Sequence, residues 1–168
     1  MKRAALNDNV HAFKQLVGAC KTINDTDDSG LTPLHIVAST GSTECAEYLL
    51  TNFANMLARD KYGRTPIHYA SNNIKMLKLF FKMGLGPKSL VQDNKGYTPL
   101  HTAVKANDIK CIEFLLTLGS KDNLSKLSLN VQEALEKLNL SNTVDVNVGD
   151  MTGKNALFMV SWWIMIFS

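Results

Sequence analysis

Three histidines, His35, His68 and His101, stand 33 residues apart, and histidine is the side chain best suited to holding a metal or moving a proton near neutral pH. The equal spacing argues against a shared ion. Residues that recur at a fixed period occupy equivalent places in successive units, and equivalent atoms of packed helices lie about 8–10 Å apart. Zinc takes nitrogen ligands at about 2.0–2.1 Å, so no single ion reaches two such rings. A hydrogen-bonding structural role is the expectation for all three, and no metal ligand is assigned.

Other candidate chemistry is weaker still. The segment from Gly149 to Lys154 looks like a phosphate-binding loop, but three residues separate its glycines where four are required. Asn155 also stands where a serine or threonine would meet magnesium. No nucleophile elbow, HExxH, kinase set or dinucleotide fingerprint occurs, so the chain reads as no enzyme and as carrying no cofactor. Val131, Leu135, Leu138 and Leu140 have the spacing of a leucine-rich export signal; an amphipathic helix burying its apolar face is the preferred reading. Cys20, Cys45 and Cys111 form no CxxC or Cys/His cluster and read as free thiols. With no apolar run behind the basic start MKRAALNDNV no secretory leader is expected, and cytosol or nucleus is the expected compartment. The sequons at Asn24, Asn123 and Asn139 are then chance matches.

The elements that position these residues follow from the period. Thr32–His35 reads TPLH, Thr65–His68 reads TPIH, and Thr98–His101 reads TPLH again. Each tetrad follows a D-x-x-G lead, at Asp27 and Gly30, Asp60 and Gly63, and Asp93 and Gly96. Asp and Gly suit a tight turn, threonine caps the helix that follows, and proline fits its first turn. An apolar pair follows at helical spacing, as Leu49–Leu50, Phe80–Phe81 and Leu115–Leu116. This pattern resembles the ankyrin repeat, whose period is about 33 residues with the signature T-P-L-H-x-A.

The resemblance implies an all-α solenoid of stacked helix-turn-helix units with short β-hairpin fingers, forming a single domain over 1–168. Its register gives a partial first repeat at 1–26, repeats at 27–59, 60–92 and 93–120, and a truncated last repeat at 150–168. The fourth start, Asp150 to Phe158, comes 57 residues after the third, so residues 121–149 read as an insert with its own helix near 128–140. Repeat 2 lacks two residues at its inter-helix loop near Asn73–Ile74 and regains them near Gly84–Pro87, which predicts a shortened or tilted helix pair. The apolar end, with Trp162, Trp163 and Phe167, is unlike the polar cap that an array needs, and truncation is the expected cause. At about a dozen apolar residues it falls short of the ~20 that span a bilayer, so no membrane partner is expected.

In arrays of this family partners contact the hairpin tips and the exposed side of the first helix. The resemblance places Asp28, Ser29, Leu31 and Arg59 on that track, then Lys61, Tyr62, Arg64, Asn72 and Asn73, then Asn94, Lys95, Tyr97 and Lys105, and last Met151 and Lys154. Six basic residues stand there against one acidic residue, a balance of +5 in a chain of net charge +3. The partner-binding residues are therefore taken as Arg59, Lys61, Tyr62, Arg64, Lys95, Tyr97 and Lys105. The chain is expected to be a non-catalytic adaptor, scaffold or inhibitor, and its partner another protein with an acidic surface. The alternative is the N-terminal regulatory array of a longer enzyme, channel or ubiquitin-ligase adaptor. No nucleic-acid module and no small-molecule substrate is indicated. At 168 residues with 45% hydrophobic and 20% charged content, the chain has the composition of a folded domain.

Overall fold

A threonine followed by proline ends an extended segment and starts a helix, because proline needs no hydrogen bond for its nitrogen and holds a helical φ. A computed structural model of the chain describes residues 1–6, 9–20, 22–86, 89–116 and 118. They divide into two compact units, Met1–Ser89 and a second beginning at Leu90. The first unit holds α1 (Lys2–Leu6), α2 (Val10–Gly18), α3 (Pro33–Thr40), α4 (Thr43–Thr51), α5 (Pro66–Ala70) and α6 (Ile74–Lys82). The second holds α7 (Pro99–Lys105) and α8 (Ile109–Leu116). The inserted helix near 128–140 and the last repeat at 150–168 lie outside the described residues.

Each tetrad builds the same cap. Thr32, Thr65 and Thr98 are extended, and their N–H groups donate to Nδ1 of His35, His68 and His101 at 3.1, 3.1 and 3.2 Å. Threonine Oγ1 lies 2.9, 3.0 and 2.8 Å from the same nitrogen. Histidine thus closes the reciprocal capping box that Glu or Gln usually closes. Between the caps, Leu34, Val37, Leu49, Ile67, Met76, Leu77 and Phe80 are buried and hold the first unit together. Full burial of each such side chain contributes about 1.5–3 kcal/mol. Outer helix α4 packs on its counterpart α6, inner helix α3 on α5, and α1 and α2 pack against α3 and α4.

The missing residues of repeat 2 come out of its inner helix. Helix α4 begins ten residues after α3 begins, whereas α6 begins eight after α5. Helix α5 accordingly has 5 residues where α3 has 8. Helix α3 ends on Gly41 in the left-handed region (φ 82°), and a Cβ there would come within 2.5 Å of Asn73 Nδ2.

The fingers are hairpin-shaped, but no strand forms among the described residues. Across each finger runs one backbone bond four residues apart, from Asp27 N–H to Leu31 O, Asp60 N–H to Arg64 O and Asp93 N–H to Tyr97 O, at 3.1, 2.9 and 2.8 Å. A single backbone bond is too short a ladder to count as a β-pair. The aspartate carboxylate supplies the rest, accepting N–H groups two and four residues on at 2.8–2.9 Å in all three fingers.

The caps of the outer helices α4 and α6 differ in a way that stability can read. Asn73 accepts the Met76 N–H at 3.1 Å, whereas Ser42 makes no cap bond and its hydroxyl is buried without a partner. In urea unfolding, Asn73→Ala should cost about 1 kcal/mol and Ser42→Ala less than about 0.5 kcal/mol. Equal losses would show that Ser42 does cap α4.

Candidate partner-binding site

The second finger is built differently from the first. Asp27 caps its own turn and is exposed, but Asp60, at the equivalent position, has a fully buried side chain. The reason lies in two substitutions in register. Arg64 stands where the first finger has Leu31, and Tyr69 stands where α3 has Ile36. The Tyr69 hydroxyl donates to Asp60 Oδ2 at 2.6 Å, and Arg64 Nε and Nη2 reach the same oxygen at 3.1 and 3.0 Å. The Arg64 guanidinium lies over the rings of Tyr62 and Tyr69, 4.7 Å from each centroid. Burial alone would raise the Asp60 pKa; the Tyr69 hydroxyl, the Arg64 and Tyr62 amides and the guanidinium together hold it below its ordinary 3.8. Burial and the bond to Asp60 lift the Tyr69 phenol well above 10.

His35 ties this finger to the preceding repeat. Its Nδ1 accepts the Thr32 N–H, which places the proton on Nε2, and Nε2–H donates to the Arg64 carbonyl at 3.1 Å. The imidazole also meets the Tyr69 ring edge-on, with centroids 5.6 Å apart. Lys61 N–H donates to the Ser29 carbonyl at 3.2 Å, joining the two fingertips directly.

This arrangement sorts the sequence-predicted residues. Arg64 is 34% exposed and its charge is met by Asp60, so it acts as a brace beneath the tip. Lys61 and Tyr62 are the exposed tip: Tyr62 is 49% exposed, and Lys61 Nζ lies 5.2 Å from the centre of its ring. Arg59 is exposed just before the finger, and Asn72 and Asn73 lie beyond α5, where Asn73 serves as a cap. In the second unit Lys95 is exposed on its finger, Tyr97 is half-buried and packs edge-on against His101, and Lys105 is exposed in the last turn of α7. A cation in a last turn is favoured by the helix dipole in any case. Met151 and Lys154 lie outside the described residues. Charge counting missed Asp60 and Tyr69; the signal available was the pairing of Asp60 with Arg64 four residues on and Tyr69 five further, found in no other finger.

Among the described residues no group of three His, Cys, Asp or Glu could hold a metal ion, and no helix is long and apolar enough to cross a membrane.

A finger closed by aspartate, a Thr-Pro helix start and paired helices stacked by repeat define a helical repeat array. The family model for ankyrin repeats in three copies matches residues 1–89, and the single ankyrin-repeat model matches residues 95–126. The chain belongs to the ankyrin-repeat family. It is 30% identical over 160 residues to the ankyrin repeat protein L271 of Acanthamoeba polyphaga mimivirus, covering 94% of this chain and 21% of that one. It is 26% identical over 153 residues to the potassium channel AKT2/3 of Arabidopsis thaliana, covering 88% and 19%. Human protein phosphatase 1 regulatory subunit 27 is 33% identical over 82 residues, covering 49% of this chain and 53% of that one. The chain spans about a fifth of the length of the first two relatives.

The neutral His35 bridge has a pH signature. Burial holds its pKa below the ordinary 6.5, outweighing the opposing pull of the Arg64 carbonyl and the Asp60 carboxylate. The unfolded chain therefore binds the extra proton first, and this contribution to stability is complete above pH 6.5 and is lost as pH falls through the folded-state value. Unfolding free energies measured between pH 5 and 8 should fall on the acid side, and His35→Gln should flatten that slope. An unchanged slope in the variant would show that His35 is not the titrating group.

Proposed function

We propose that the chain is a non-catalytic adaptor, scaffold or inhibitor that binds an acidic protein surface through its fingertips, with Lys61 and Tyr62 at the centre of the contact. Ankyrin repeats generally mediate binding between proteins, and the finer reading rests on one observation. The second fingertip presents an exposed lysine and tyrosine on a mount that Asp60, Arg64, Tyr69 and His35 hold rigid. A preorganised tip loses little conformational freedom on binding, and tyrosine supplies contact area with few rotatable bonds. Lys95 and Tyr97 repeat the same residue types on the finger of the second unit.

A reducing compartment, cytosol or nucleus, fits the free thiols of Cys20, Cys45 and Cys111. Burial, with Asp108 beside it, pushes the Cys111 thiol up to about 12, so that one is inert. The second reading, a regulatory array within a longer enzyme or channel, is favoured by the fifth of the relatives' length that this chain spans. The two agree about the binding face.

Arg64 makes a poor probe of that face, since reversing its charge would set two carboxylates together in the mount. Lys61→Glu with Lys95→Glu is the clean test. Against an acidic partner isolated with the wild-type chain, the double variant should bind at least about tenfold more weakly, mostly through slower association. Its affinity should also depend less steeply on salt. Unchanged affinity and unchanged salt dependence would exclude the fingertips as the contact.

A further inference from the structure

Two features on the outer helices break local rules with little structural return: of three lysines on α6, only Lys82, in its last turn, is favoured by the helix dipole. The first is charge. Lys75, Lys78 and Lys82 are all exposed on α6 with the i, i+3, i+7 spacing that lines one face. Neighbouring like charges at these spacings weaken a helix, and Lys75 sits in a first turn that holds no acidic residue, where the dipole disfavours a cation. Among the described residues none of the three has a carboxylate within 4.0 Å. Helix α4, beside it, carries Glu44 and Glu47 at the positions equivalent to Lys75 and Lys78, but Thr51 at the position equivalent to Lys82.

The second is backbone. Helices α4 and α6 end in the same way: the residue after the cap is left-handed, and paired bonds run back to the last turn, from Phe53 and Ala54 to Leu50 and Leu49, and from Gly84 and Leu85 to Phe81 and Phe80. Glycine takes that conformation freely in α6 (φ 100°). In α4 the position is Phe53, at φ 64°, where a bulky side chain is strained by about 1–2 kcal/mol. Its side chain is 90% exposed, so no packing offsets the strain.

Register brings these features together. Phe53 and Gly84 are equivalent residues of packed neighbouring helices, so Phe53 stands about one helix spacing, ~8–10 Å, from the end of α6 that carries Lys82. We propose that the C-terminal turns of α4 and α6 form a second docking surface, which takes an acidic protein segment with carboxylates on Lys78 and Lys82 and an apolar side chain on Phe53. Glu44, in the first turn of α4, and Glu47, level with Lys78, repel such a segment and so press it toward Lys82 and Phe53 at the C-terminal ends. This face is separate from the fingertips and stands or falls independently of them.

The test uses the full chain and a fluorescein-labelled heptapeptide of five glutamates with leucine at positions three and six, followed by fluorescence anisotropy. Lys78→Glu with Lys82→Glu should weaken binding about tenfold or more, and Glu47→Gln should tighten it. Phe53→Gly should weaken binding while raising the midpoint of thermal unfolding, two changes that a merely structural role would not combine. In the Lys61→Glu with Lys95→Glu background, Lys78→Glu with Lys82→Glu should still weaken binding about tenfold. Loss of binding in that fingertip variant, with none in the Lys78/Lys82 variant, would overturn the proposal and assign acidic peptides to the fingers alone. Full affinity in Phe53→Gly would remove the apolar anchor and overturn it too. Binding to phosphatidylserine vesicles but not to the peptide would overturn it in favour of a membrane surface.

Discussion

A buried imidazole that stays neutral governs how the first two repeats of this chain are joined. Within its own repeat His35 only closes a helix cap, a task that a glutamine could perform. What a planar ring adds is a second nitrogen on the far side, and Nε2–H uses it to hold the Arg64 carbonyl at 3.1 Å. The local cap and the contact between repeats are therefore one interaction, and both require the same tautomer. A charged ring would turn Nδ1 into a donor facing the Thr32 N–H, breaking the cap as well as losing hydration. Desolvation keeps that state away at neutral pH.

Arg64 is consequently held from both ends, its backbone by His35 and its side chain by Asp60. That explains a contrast between fingers with the same turn chemistry. The carboxylate of Asp27 satisfies two backbone donors and stays in water, whereas that of Asp60 satisfies the same two donors and also meets Tyr69 and Arg64, and is buried. A buried carboxylate is tolerated only when its acceptor sites are filled, and here five donor contacts fill them. Tyr62 and Lys61 then project from a base that does not need to order on binding.

The period made much of this fold legible. Thr-Pro starts, Asp-x-x-Gly turns and apolar pairs each answer to a local requirement, and three copies fix the register. The shortened helix α5 could be foreseen from two missing residues, because a loop that caps an outer helix cannot shrink further and the inner helix must yield. The fingers could be placed but not their lack of strands, which depends on only one backbone pair forming across each. Sequence reasoning also counted Arg64 as one more free cation. A count of charges treats side chains as independent, and only geometry shows that Asp60, assigned solely to its turn, reaches across to Arg64. Tyr69 was overlooked for a related reason: its partner lies nine residues away, at a spacing that no helix or strand rule brings together, and only its absence from the other fingers marks it.

Repetition offers its own standard for judging departures, since each position can be compared with its equivalents in the same molecule. Asp60 is unusual beside Asp27, and its surroundings explain why: Arg64 and Tyr69 are present and satisfied. Phe53 is unusual beside Gly84, and nothing around it explains why. Its ring touches little, its backbone is strained, and glycine in the neighbouring helix performs the same capping without cost. Lys75 is unusual beside Glu44 in the same sense, since a carboxylate suits a first turn and a lysine does not. Departures compensated within the fold belong to the fold. Those left uncompensated on the exposed outer helices are where the energy of an interaction outside the chain has to be sought.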